Sequence, residues 1–166
     1  MICNVLFVCI GNICRSPMAE GFFAQAMPER MVCSAGLHAM VGHAADGCAI
    51  ELMHERGIDL SGHRARQLAS WMVREADLIV TMDSEQRRYI ENVFPTARGK
   101  VRRLLEGPGA EVPDPYRHGR RAFLHSRDLI EEGIGQLVTW IVRQESSPII
   151  GSGLPRRLQA AGTLPP

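Results

Sequence analysis

The sequence predicts an α/β fold in three layers: a central four-stranded parallel sheet with helices on both faces. Short apolar runs alternate with segments of helical period, and such alternation implies parallel strands joined by right-handed crossovers. Val5-Leu6-Phe7-Val8 and Leu78-Ile79-Val80-Thr81 are almost continuously apolar. That composition belongs to strands buried on both faces. In open α/β sheets ligands bind at the carboxyl ends of strands, near the point where strand order reverses. Cys9 stands there, immediately after the first strand.

Each element has its own justification. From Pro17 the apolar period lengthens, and Met18, Phe22, Phe23 and Ala26 fall on one helical face. Val32-Cys33-Ser34-Ala35-Gly36 reads as the second strand. Residues 44–56 read as the second helix, with Ala45, Ala49, Leu52 and Met53 turned inward. After the third strand, Asp83 caps a helix, with Gln86 three residues on completing a capping box. Lys100 to Leu105 is a more polar strand, expected at an edge. A long last helix is expected over about residues 120–144, with Phe123, Ile130, Ile134, Leu137 and Ile141 on one stripe.

The 166 residues suit one domain, assigned to residues 1–145. Residues 146–166 hold four prolines and three glycines with little periodicity, and read as a flexible C-terminal tail. Hydrophobic residues make up 45% and charged residues 22%, the balance of a soluble globular chain. A formal net charge of +1 argues against nucleic acid or a membrane surface as partner, and the arginine pairs are scattered along the chain. No apolar run approaches the roughly 18 residues a membrane span needs. Met1-Ile2-Cys3-Asn4-Val5 enters a strand without a preceding basic segment, so no signal peptide is expected. Five cysteines, odd in number and confined to the first third, do not form a secreted disulfide framework, and a reducing cytoplasm is expected.

The segment Val8-Cys9-Ile10-Gly11-Asn12-Ile13-Cys14-Arg15-Ser16-Pro17 concentrates the chemistry. Ser16 and Pro17 suit an N-cap and first helical residue, which makes residues 10–15 a tight loop ahead of a helix. Gly11 and Asn12 tolerate positive φ, so the N–H groups from Ile10 to Ser16 can turn inward as an anion nest, reinforced by the helix dipole. Arg15 supplies a planar guanidinium able to hold two oxygens. Together they make a site for a tetrahedral oxyanion. Cys9 at its start is expected to carry a depressed pKa and to be nucleophilic, with Ser16 hydrogen-bonding the sulfur.

Cys9-Ile10-Gly11-Asn12-Ile13-Cys14-Arg15-Ser16-Pro17 resembles the phosphate-binding loop of the low-molecular-weight protein tyrosine phosphatases, C-x-G-N-x-C-R-S-P. The resemblance implies a flavodoxin-like sheet of strand order 2-1-3-4 and a phosphocysteine intermediate, with neither cofactor nor metal. Expelling a tyrosyl leaving group, whose pKa is about 10, calls for a general acid. The family carries its acid in a D-P-Y or D-P-F segment before the last helix, which Asp114-Pro115-Tyr116 matches. Cys9, Arg15 and Asp114 are thus the expected catalytic residues, and Ile10 to Ser16 the phosphate-binding loop. Ser34-Ala35-Gly36 and His63-Arg64-Ala65-Arg66-Gln67 resemble further family segments. They imply that His63, like Ser16, supports the loop, in this case at Asn12; a satisfied core histidine is an equal reading.

The resemblance implies a pocket walled by Tyr116, with Met40 where eukaryotic-type members often carry an aromatic residue. Loop packing explains Met40 equally well. An aliphatic wall and the Asp114-Pro115-Tyr116-Arg117 ending resemble bacterial members encoded with exopolysaccharide or capsule machinery. The implied substrate is a phosphotyrosine protein such as a tyrosine autokinase, and the enzyme is expected to work as a cytoplasmic monomer. Cys14 reads equally as a redox partner that resolves oxidised Cys9 and as a small apolar filler. Two rivals remain: a relative of thioredoxin-coupled arsenate reductases, which needs further cysteines downstream where this chain has none after Cys48, and a phosphotyrosine-binding module without turnover.

Overall fold

The computed structural model describes residues 1–146. Its order is β1 (Asn4–Cys9), α1 (Arg15–Ala26), β2 (Met31–Gly36), α2 (Gly47–His54), α3 (Ser70–Glu75), β3 (Leu78–Thr81), α4 (Ser84–Val93), a 3-10 turn at Pro95–Ala97, β4 (Val101–Arg103) and α5 (Gly119–Ser146). The strands pair β2-β1-β3-β4, all parallel, so the expected fold class and strand order are borne out. Among the described residues no helix is long and apolar enough to cross a membrane. Apart from Ser146, which ends α5, the predicted tail lies outside the described residues.

Alternate residues of the strands feed two cores. Val5, Phe7 and Val80 face a core closed by α1, α2 and α5, where Phe7 meets Phe23 edge-on at 5.6 Å. Leu6, Val8 and Ile79 face the other core, under α3 and α4. Period-two alternation with both sides apolar is why these strands read as unbroken hydrophobic runs.

Several boundaries differ from expectation. Helix α1 begins at Arg15, with Cys14 at the N-cap and no side-chain cap, so Ser16 is not the N-cap; its hydroxyl is used in the loop instead. Ala26 is exposed, and Met27 completes the buried face. Helix α2 is shorter than 44–56 because Asp46 caps it, its carboxylate accepting from Cys48 N–H at 2.9 Å. Asp83 does cap α4, accepting from Gln86 N–H at 2.8 Å. Gln86 reaches back to the N–H of Met82, one residue earlier than in the usual capping box.

Candidate active site

The loop between β1 and α1 is held from outside by its carbonyls. Cys9 O accepts from Leu37 N–H at 2.9 Å, Ile10 O from His38 N–H at 3.0 Å, Gly11 O from Met40 N–H at 3.0 Å, and Ile13 O from Asp46 N–H at 2.8 Å. Asn12 O meets His63 Nε2 at 2.7 Å. In a trans peptide the C=O and the following N–H point opposite ways. With five successive carbonyls drawn outward, the N–H groups of residues 10–14 are turned to the inside of the loop. Asn12 N–H reaches Cys9 Sγ at 3.3 Å. Of the two residues expected to take positive φ, Asn12 does so at 56°, whereas Gly11 does not.

Asn12 is wholly buried and its side chain is fully used. Its Oδ1 accepts from Arg66 N–H at 2.9 Å, which fixes the amide orientation. Its Nδ2 therefore donates to Ser16 Oγ and Ser34 Oγ, each at 2.9 Å. Ser34 donates onward to Glu20 at 2.5 Å. With one lone pair of Ser16 Oγ taken by Asn12, its proton is free for Cys9 Sγ, 2.9 Å away. Gly36, at the end of β2, is required here: a Cβ would lie 2.4 Å from Ile10 O.

Arg15 is 3% exposed, so its charge needs partners in place. It has three: Asp114 Oδ2 at 2.8 Å, Val112 O at 3.1 Å and Asp83 Oδ2 at 3.4 Å. Asp83 is thus both the cap of α4 and a counterion to Arg15, a second role that its capping motif concealed. The segment carrying Asp114 is pinned by Val112 N–H to Met82 O at 2.9 Å and by the Ser126 hydroxyl to Pro113 O at 2.8 Å.

Cys9, Ile10, Gly11, Ile13, Cys14, Arg15, Met40, Asp114 and Tyr116 line one pocket of about 210 Å³, together with His38. Asn12, Ser16 and His63 do not line it and act from behind the loop. Cys14 is packed in the larger core. Burial raises its thiol pKa, with further upward contributions from Asp46 and Cys9. Sequence reasoning did not find Asp83 as counterion, nor Ser34, Glu20 and Ser126. Of these, only Ser34 belongs to a segment with a recognisable motif.

A model of the low molecular weight phosphotyrosine protein phosphatase family matches residues 4–147. The probable low molecular weight protein-tyrosine-phosphatase EpsP of Ralstonia nicotianae is 43% identical over 143 residues, covering 86% of this chain and 97% of that protein. Among solved structures, the Erwinia amylovora tyrosine phosphatase AmsI superposes with a TM-score of 0.81 at 38% identity, covering 84% of this chain and 93% of its own. Vibrio vulnificus Wzb, solved in complex with benzylphosphonate, gives 0.80 at 34%, covering 84% and 99%.

Proposed function

Since the chain belongs to the low molecular weight phosphotyrosine protein phosphatase family, we propose that it hydrolyses phosphotyrosine through a phosphocysteine formed on Cys9. What supports this is convergence: a nucleophilic sulfur, a ring of inward N–H groups, a buried guanidinium and a carboxyl group meet at one small pocket.

In the first step Cys9 Sγ attacks phosphorus in line, the bond to the phenolic oxygen breaks, and Asp114 gives that oxygen its proton. The loop N–H groups hold the equatorial oxygens together with Arg15. A bound phosphoryl group gives Arg15 a new bidentate partner, and Asp114, released from the 2.8 Å ion pair beside the phosphate dianion, takes up from solvent the proton that it gives to the leaving oxygen. In the second step Asp114 takes a proton from water. The resulting nucleophile attacks the phosphocysteine, with the Ser16 hydroxyl donating to the departing sulfur. His63 and Asn12 keep the loop in shape, while Met40 and Tyr116 flank the substrate ring.

The benzylphosphonate bound by the Vibrio relative is the size and charge of a phosphotyrosine side chain. It supports an aryl phosphate as the occupant here. Similar proteins from Ralstonia, Erwinia and Escherichia carry the names EpsP, AmsI and Wzb. Together with the aliphatic Met40 wall, they favour a tyrosine autokinase and associated exopolysaccharide-biosynthesis proteins as substrates. All five cysteines are free, which suits a reducing cytoplasm.

The test is turnover of p-nitrophenyl phosphate and of phosphotyrosine without added metal. Cys9→Ser should abolish both. Asp114→Asn should lose about 10²–10⁴-fold on phosphotyrosine and far less on p-nitrophenyl phosphate, whose leaving group needs little protonation. Undiminished turnover in Cys9→Ser refutes the nucleophile, and equal losses in Asp114→Asn refute the acid.

A further inference from the structure

Beside the pocket lies a larger groove of about 770 Å³, the two sharing Ile10, Arg15, His38 and Asp114. The loop after β2, the first two turns of α4 and the segment leading to Asp114 form its walls. We propose that this groove receives the peptide chain flanking the phosphotyrosine, with Tyr89 and Arg88 of α4 as specificity-determining residues. The proposal rests on the phosphotyrosine-protein reading of the pocket.

The two cavities adjoin along Ile10, Arg15, His38 and Asp114. A phosphotyrosine seated in a pocket of about 210 Å³ leaves its backbone outside it, and a cleft more than three times larger lies alongside. The polar groups of the groove also divide into committed and free. Asp83 is committed to Gln86 and Arg15, and Glu111 to Ser84 and Arg103. Arg88, Glu85 and the Tyr89 hydroxyl, by contrast, make no hydrogen bond or ion pair among the described residues. Tyr89 is 41% exposed and meets His38 edge-on at 6.3 Å, which places its ring as an apolar surface beside the pocket. Arg88 acts on Glu111 only through charge at a distance, and an exposed tyrosine next to such an arginine is the composition that carries binding energy at protein interfaces.

A small aryl phosphate fills the pocket alone, so it separates the groove from the chemistry. The experiment compares kcat/KM for p-nitrophenyl phosphate with that for a nonapeptide bearing a central phosphotyrosine, one acidic residue for Arg88 and otherwise neutral residues. Wild type, Tyr89→Ala and Arg88→Glu are measured. Both positions are exposed on a helix surface, and thermal melts verify that the variants fold. Each variant should lose about tenfold on the peptide, chiefly through KM, and stay within about twofold of wild type on the small substrate. Equal losses on the two substrates, or no loss on the peptide, overturn the groove. If wild type fails to turn over p-nitrophenyl phosphate at all, the phosphatase reading itself falls.

Discussion

Ser126 shows how one hydroxyl on a distant helix bears on the pocket. It is wholly buried on α5, and its bond to Pro113 O fixes the peptide immediately before Asp114. Removing it takes a donor from the carbonyl of Pro113, an exposed residue, at a cost of about 0.5–1.5 kcal/mol. It also loosens the carboxyl group proposed as the acid. Ser126→Ala should therefore lose severalfold more kcat on phosphotyrosine than on p-nitrophenyl phosphate, and Ser126→Thr should restore most of it. A merely structural serine would lower both rates alike. The loop residues illustrate what a motif reveals at this scale. Cys9, Arg15 and Asp114 carry recognisable chemistry in recognisable spacing, so the sequence could put them forward as candidates, and the structure brings them to one pocket. Ser126 and Glu20 could not, because a serine or glutamate on a helix has no local signature for a partner many residues away.

At the scale of elements, α5 makes a close approach that depends on a glycine. A Cβ at Gly133 would lie 2.7 Å from Leu104 Cγ and 3.0 Å from Leu105 Cδ2, and Leu104 is itself buried with nowhere to move. Two residues on, a Cβ at Gly135 would meet nothing within 4 Å. Gly133→Ala should therefore destabilise by about 1–3 kcal/mol through overpacking, net of its helix-propensity gain. Gly135→Ala should stabilise by about 0.5–1 kcal/mol from that gain alone. Urea unfolding of the two variants checks the opposite signs. The elements legible in the sequence are those with an apolar run or period, the buried strands, α1, α2 and α5, together with α4, which its Asp83 cap announces. Helix α3 and the 3-10 turn at Pro95–Ala97 are not. Six and three residues are too short to display a period, and neither has a side-chain cap to announce it. Ser16-Pro17 misleads for a related reason: its local start signal is overridden by the bonds Ser16 makes to Asn12 and Cys9.

Across the whole molecule, the first strand is tied at its amino end as firmly as the loop is at its carboxyl end. Asp77, just before β3, accepts from Cys3 N–H at 2.8 Å and Asn4 N–H at 2.9 Å. These backbone bonds, that from Asn4 foremost, lower its pKa below the ordinary aspartate value. A carboxylate whose folded pKa is depressed contributes stability above its unfolded pKa and loses it as pH falls through the folded value. Asp77 is exposed, so the contribution is small. Asp77→Asn should melt about 1–2 °C below wild type at pH 7, and the gap should close as pH falls below the ordinary aspartate range. Thermal melts across that range settle the sign.

The loop whose carbonyls are all tied outward needs no rearrangement to receive a phosphate ester, and none to receive the inorganic phosphate that hydrolysis leaves behind. Free phosphate and the ester then compete for the same ready-made seat. An enzyme working as proposed should therefore be slowed by its own product, its turnover falling as the phosphate concentration around it rises.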